Sequence, residues 1–369
     1  MRLESLALRG FRNYAQMQMD CCPGVNLLVG DNAQGKTNLL EAIGYLSSFA
    51  SFRTRREAEL IGFGQDFAEL SARVQTARRE LDLRALLFAG QKRRQLFCND
   101  VKKKSAEELR GCFTTVLFCP EDLQILRAGA AVRRRFVDAP LCQLRPGYGA
   151  ALAEYTRLLE HKSRILKDRL EYPSLLDTLP DFNERMARQG AVIIRYRARY
   201  LRQLAALAGA YHSAFSGQRE TLALEYRTVS SVSDPCGSLE DICRQLREHQ
   251  QSHAAAELAS CQCLSGPHRD DFDALLSGCS LKSFGSQGQT RTAAISLKLA
   301  ERELFRRDTG EEPVLLLDDV LSELDAGRQD FVLNELKSGQ VFITCCETDR
   351  LTSLGQVFLV QQGTVAPME

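Results

Sequence analysis

Residues Gly30-Asp31-Asn32-Ala33-Gln34-Gly35-Lys36-Thr37 follow a short apolar run, Val25 to Val29, and precede an amphipathic segment, Asn38 to Leu46. A strand, a loop bounded by two glycines, a lysine with a hydroxyl residue and then a helix leave few folds open, because each part has a physical duty. Successive backbone N–H groups of such a loop turn inward around phosphate oxygens, and the helix N-terminus adds partial positive charge. The glycines let the chain come close. Lys36 would reach the β- and γ-phosphates, and Thr37 would give its hydroxyl to Mg²⁺. All eight residues are therefore the expected cradle of a nucleoside triphosphate.

A second element completes that chemistry far along the chain. Val314-Leu315-Leu316-Leu317 is a continuous apolar run, the pattern of a strand buried on both faces, and Asp318 and Asp319 stand at its carboxyl end. Ligands of parallel sheets bind at that end. Asp318 is expected to hold Mg²⁺ together with Thr37, and Asp319 to orient the attacking water, so Lys36 and Asp319 are the candidate catalytic pair. A solvated acidic turn is the plainer alternative. A site built from positions this far apart demands a large insertion between its halves.

The rest of the chain supplies one. Ala68, Leu70, Ala72 and Val74 alternate, as do Leu81, Leu83, Ala85 and Leu87, and the stretch from Leu96 to Val101 carries an Asn99-Asp100 turn. These predict antiparallel strands beside the loop strand. From Arg133 to about Ala259 the periodicity is helical, with Leu152, Tyr155, Leu159, Ile165 and Leu166 near one face of one helix and Ile193, Ile194, Leu201, Leu204 and Ala208 near one face of another. Pro173 and Pro180 punctuate the connection. Val341-Phe342-Ile343-Thr344 then reads as another buried strand, and a last ribbon from Val357 to Val365 turns near Gly363. The expected organisation is residues 1–125 and 260–369 forming one α/β head, with a helical lobe, 126–259, inserted between them.

Ser283-Phe284-Gly285-Ser286-Gln287-Gly288-Gln289 precedes a helical stretch, Thr290 to Phe305, and forms a second phosphate-recognising surface. A chain with one phosphate loop needs no second on the same nucleotide. It needs one for a partner's. In this arrangement the chain resembles the ABC-type ATPase heads of the SMC family and, within them, the RecF family of bacterial recombination mediators. The matching segments are Phe11-Arg12-Asn13-Tyr14, Asn32 to Ala42, Pro120-Glu121-Asp122-Leu123, Arg133-Arg134-Arg135-Phe136, Gly266-Pro267-His268-Arg269-Asp270-Asp271, Gly285 to Thr292 and Leu316 to Asp325. They occur in the family's order over nearly the whole length.

The resemblance implies an ABC-type, SMC-like P-loop ATPase head with an antiparallel β region and an inserted helical lobe. It implies ATP and Mg²⁺ as cofactors and an ATP-dependent homodimer, in which Ser286, Gly288 and Gln289 of one subunit close over the other's nucleotide, with Asp325 where the two sites cross. It further implies a slow, DNA-stimulated ATP hydrolase that acts as a dimerisation switch in DNA replication, recombinational repair and the SOS response, with RecR and RecO as partners and RecA loading as outcome. Two departures stand out. Asp319 occupies the position of a glutamate in most SMC-type heads, and Cys345-Cys346 stands where related ATPases place a histidine or threonine that senses the γ-phosphate. Thr344 and Thr348 are the alternatives for that sensor.

Charge locates the DNA. Between Arg133 and Arg219 there are 16 Lys and Arg against 8 Asp and Glu, a net of +8 in a chain whose total is +1. Arg185, Arg188, Arg195, Arg197, Arg199 and Arg202 crowd one helix, and such a surface attracts phosphate backbones without reading bases. Arg53, Arg55, Arg56 and Lys102 to Lys104 are further candidates. The bland reading is a helix whose arginines lie over its own core or pair with nearby acids.

Rival readings are a transporter ATPase subunit, the ATPase head of a DNA-processing nuclease and an SMC-like chromosome-organising head. No apolar run reaches the 18 or so residues of a membrane span, and the N-terminus lacks a signal peptide's apolar core, so a cytosolic protein with no membrane partner is expected. The 13 cysteines lack the paired spacing of zinc sites and are expected to be reduced.

Overall fold

Alternation at residues 68–74 and 81–87 becomes two central strands of an antiparallel sheet, with the apolar residues buried on one face. The computed structural model describes residues 1–54, 56–90, 94–230, 232–335, 338–346 and 352–368. They form two units, one from Met1–Leu123 with Lys298–Glu369 and one from Gln124–Leu297.

The first unit holds two sheets. The antiparallel one runs Tyr14–Asp20, Arg2–Phe11, Phe67–Gln75, Glu80–Phe88, Gln95–Cys98, Val101–Lys103 in spatial order. Asn99 and Asp100 both have positive φ, 49° and 60°, which is the two-residue hairpin geometry their sequence predicts. The other sheet runs Thr364–Pro367, Gly355–Gln361, Val25–Val29, Val341–Cys345, Val314–Asp318, Thr115–Phe118. Its inner pairings are parallel. The loop strand Val25–Val29 and the acid strand Val314–Asp318 are therefore not neighbours, because Val341–Cys345 lies between them.

The helix Lys36–Ser48 buries Leu39, Leu40, Ile43 and Leu46 in a core shared with Leu6, Leu70 and Leu83 of the antiparallel sheet and Leu316, Phe342 and Phe358 of the parallel one. Each such side chain contributes roughly 1.5–3 kcal/mol when fully buried. That packing fixes where the loop's lysine and threonine emerge.

The second unit carries the helices Ala130–Leu144, Pro146–Asp168, Leu179–Phe215 and Leu239–Ser260. Proline takes the first or second position of two of them, where a missing N–H leaves no bond broken. The unit reaches Leu297, so the lobe boundary expected at residue 259 is corrected to 297. The reason is strand pairing: Asp271–Leu276 runs antiparallel to Leu222–Arg227, which follows the long helix, and so draws residues 260–297 into the lobe.

Candidate nucleotide site

The phosphate loop is held from outside by a hairpin turn. Asn13 donates from Nδ2 to the Gln34 carbonyl at 2.9 Å, and the buried Tyr14 hydroxyl donates to the Gly35 carbonyl at 3.0 Å. From the far edge, the Gln362 N–H donates to the Gln34 side chain at 2.8 Å. With these carbonyls fixed outward, peptide planarity turns their N–H partners the other way. Arg12, at the same turn, grips the fully buried Glu41 with two hydrogen bonds of 2.9 and 2.8 Å. Arg12-Asn13-Tyr14 stands out in the sequence as a matching segment, but its residue types do not announce this task.

The two glycines answer to neighbouring backbone and side chains. A Cβ on Gly30 would lie 2.2 Å from the Val360 carbonyl oxygen, and one on Gly35, whose φ is +117°, would lie 2.5 Å from Asn13 Nδ2. Ala33 also has positive φ, 64°. Between them the loop curls, and Lys36 folds back over it, its ammonium donating to the Gly30 and Asp31 carbonyls at 2.5 and 3.0 Å. Only 8% of Lys36 is exposed. Cys346 Sγ lies 3.4 Å from the same ammonium and 3.3 Å from Asn32 Oδ1.

Distant residues meet at the acid strand's end. Thr37 donates its hydroxyl to Asp318 Oδ1 at 2.9 Å, and Thr344 donates to the same oxygen at 3.0 Å. The Asp319 N–H donates to Thr344 Oγ1 at 2.8 Å, with Asp319 in a left-handed conformation at φ 50°. Burial holds the Asp318 carboxyl above the usual carboxylate range, partly offset by the two threonine hydroxyls. A hydroxyl oxygen and a carboxylate oxygen in contact are the oxygen donors a hard divalent cation takes, so Thr37 and Asp318 fit Mg²⁺. Burial pushes the neighbouring Cys345 thiol up to about 11. Thr348 lies outside the described residues.

Ser286, Gly288 and Gln289 sit in the second unit. Ser286 and Gln289 form a reciprocal cap on the helix Gln287–Thr309: the Ser286 hydroxyl accepts from the Gln289 N–H at 3.2 Å, and Gln289 Oε1 accepts from the Ser286 N–H at 3.0 Å. Gln289 Nε2 also donates to Glu220 Oε1 at 2.8 Å, so both ends of this amide are engaged within the unit. Ser286 is exposed and keeps a hydroxyl hydrogen to give, and Gly288 is the second residue of the helix. Asp325 accepts the Arg328 N–H at 3.0 Å as the cap of Ala326–Glu335.

The long helix Leu179–Phe215 divides its arginines. At about 100° per residue, Arg185, Arg188, Arg195, Arg199 and Arg202 share one arc, and Arg197 falls on the opposite side. Arg188, Arg199 and Arg202 are exposed, whereas Arg185 and Arg195 are half-buried. Arg185 pairs with Glu154 at 2.6 Å and Arg188 with Glu184 at 2.7 Å.

Arg197 is a correction to the expected DNA face. It is 3% exposed, grips both oxygens of Asp138 at 2.8 and 2.9 Å, and donates to the Pro267 carbonyl at 2.6 Å. Helical phase alone would have separated it from the other five. His268 is likewise internal: its Nε2 donates to the Cys263 carbonyl at 3.0 Å, and its Nδ1 accepts from Tyr155 at 2.8 Å. Arg269 Nε donates to the same carbonyl at 2.8 Å. In the first unit Arg53 bonds Asn38 Oδ1 at 2.6 Å, Arg56 is exposed, and Arg55 lies outside the described residues. Among the described residues no helix is long and apolar enough to cross a membrane, and no cluster of three His, Cys, Asp or Glu is gathered for a metal.

Comparison with known proteins bears on this arrangement. The RecF/RecN/SMC N-terminal domain family matches residues 2–365. A DNA replication and repair protein RecF of Symbiobacterium thermophilum is 38% identical, with 99% of this chain and 98% of that protein covered. One from Ruminiclostridium cellulolyticum is 37% identical over 96% and 95%. The solved RecF-ATPrS form of the recombination mediator protein RecF in the RecFOR pathway superposes with a TM-score of 0.94 at 34% identity, over 100% and 98% of the two chains.

Proposed function

The chain belongs to the RecF family within the RecF/RecN/SMC group, and from that premise we propose that it is an ATP-dependent DNA-binding protein of DNA replication and recombinational repair. Its fold is the ABC-type, SMC-like P-loop ATPase head with an inserted lobe. The observation that carries the reading is the contact of Thr37 with Asp318 at 2.9 Å beneath a complete phosphate loop. Those two residues would hold Mg²⁺, which neutralises charge developing on the transferred phosphoryl group. Lys36 would leave its two loop carbonyls for phosphate oxygens, and Asp319 would orient water. Slow hydrolysis fits an aspartate at this position, one methylene shorter than the glutamate of most SMC-type heads.

In this reading ATP brings two copies together, with Ser286 and Gly288 of each facing the other's γ-phosphate, and hydrolysis parts them. The exposed arginines of Leu179–Phe215 bind single- and double-stranded DNA at gaps and junctions. The protein works in the cytosol, and the family's RecFOR pathway supplies RecO and RecR as partners and RecA loading and the SOS response as outcomes.

Sedimentation of three variants with and without ATP tests the switch. Lys36→Ala is expected to weaken ATP binding by about 2–3 kcal/mol, the worth of a charged hydrogen-bonding group. Ser286→Arg should bind ATP and stay monomeric, and Asp319→Asn should form a dimer that persists. An ATP-independent dimer indifferent to Ser286→Arg would reject the switch.

A further inference from the structure

We infer that Thr344 is the positioning residue that locks Asp318 and Asp319 into register, and that it does not sense the γ-phosphate. The inference rests on the ATPase reading above. Its basis is strand order. The strand Val341–Cys345 lies between the loop strand and the acid strand, and its parallel register sets Thr344 beside Leu28 on one side and Asp318 on the other. No residue of the acid strand itself could face its own terminal carboxylate in this way.

One hydroxyl joins two consecutive acids. Thr344 Oγ1 gives its only hydrogen to Asp318 Oδ1 at 3.0 Å and receives the Asp319 N–H at 2.8 Å. The donor is used up, so none remains for a phosphate oxygen. The residue is 2% exposed and β-branched, which restricts χ1 and with it the direction of the hydroxyl. The bond to the N–H matters because Asp319 holds a φ of 50°, a region that side-chain-bearing residues occupy only when their surroundings hold them there. Thr344 thus fixes the carboxylate that would carry the metal and the backbone that aims the water-orienting acid. Thr37 shares the same carboxylate oxygen, so the hydroxyl of Thr344 keeps Asp318 in place when Thr37 turns to another partner.

The experiment uses full-length protein with Thr344→Val, which keeps the shape and removes the hydroxyl, and Thr344→Ser, which restores it. Binding of a fluorescent ATP analogue is titrated with Mg²⁺ and repeated in EDTA, steady-state hydrolysis is measured, and both variants are melted. For Thr344→Val the Mg²⁺ concentration for half-maximal binding should rise about tenfold and kcat should fall about tenfold or more, the range for losing a hydrogen bond to a charged group. KM at saturating Mg²⁺ and binding in EDTA should stay near wild type, and Thr344→Ser should recover both losses.

Wild-type Mg²⁺ dependence and kcat in Thr344→Val would overturn the inference, as would a Thr344→Ser protein that melts normally yet is equally impaired. Equal loss of binding with and without Mg²⁺ would mark a merely structural residue and overturn it too. A wild-type protein that binds no ATP would instead overturn the ATPase reading itself.

Discussion

The phosphate loop and the long arginine helix use polar residues in opposite ways. Around the loop, polar atoms from five separate stretches of chain converge, and the central ones are buried: Lys36, Glu41, Asp318 and Thr344 are each less than 9% exposed. Along Leu179–Phe215 the outward charges diverge: Arg185 pairs with Glu154 of a neighbouring helix at 2.6 Å, Arg188 with Glu184 of its own at 2.7 Å, and Arg199 bonds the Cys236 carbonyl at 3.3 Å. A convergent site fails when one bond is lost, because its geometry is shared. A divergent surface loses strength by increments, since each charge acts almost alone. Arg197 breaks the pattern, being a charge of the second region used as the first region uses its own.

That exception gives the sharpest test. Arg197→Ala leaves the Asp138 carboxylate facing Tyr148 without its cation, and breaking a buried pair from one side costs about 3–5 kcal/mol. Chemical denaturation should register that loss. A stability within 1 kcal/mol or so of wild type would return Arg197 to the surface set.

Acid titration probes the same interior. Burial pushes His268 down from 6.5 to about 4. The unfolded chain therefore takes up this proton first, and stability present above pH 6.5 drains as the pH falls toward 4. Between those limits wild type should lose about 3 kcal/mol more than His268→Gln, which has no proton to gain. Parallel pH profiles for the two proteins would refute the assignment.

The smallest effects belong to the surface. Arg199→Ala or Arg202→Ala should leave melting unchanged and lower the slope of log DNA affinity against log salt by about 1 each, additively. A single substitution that abolished binding would mean the helix face is a convergent site after all, and the contrast between the two regions would disappear.

Much of this is legible in the sequence. The residues from Gly30 to Thr37 carry their own strand and helix signals on either side, between Val25 and Leu46, and alternation at 68–74 and 81–87 marks two strands by their side-chain period. The lobe's far boundary was less legible, since Asp271–Leu276 is a short alternating strand whose partner is set only by pairing. Charge count does not distinguish Arg197 from its five neighbours, because total charge on a helix ignores phase. The hairpin at Arg12-Asn13-Tyr14 was visible as a motif but mute as to purpose, because its task is performed on carbonyls that no side-chain pattern reveals.

Sequence by itself determined the chemistry on offer: a phosphate loop with its lysine and threonine, paired acids after an apolar strand, and an excess of arginine in the middle. Those features are local, and local backbone preference and hydrophobic period dictate them. Only the tertiary structure decided that Thr344 meets both acids, that Asp318 and Thr37 touch across 281 positions, and that one arginine of six turns inward. Strand order and helix packing settle such matters, and they depend on how the whole core closes rather than on any segment's own composition.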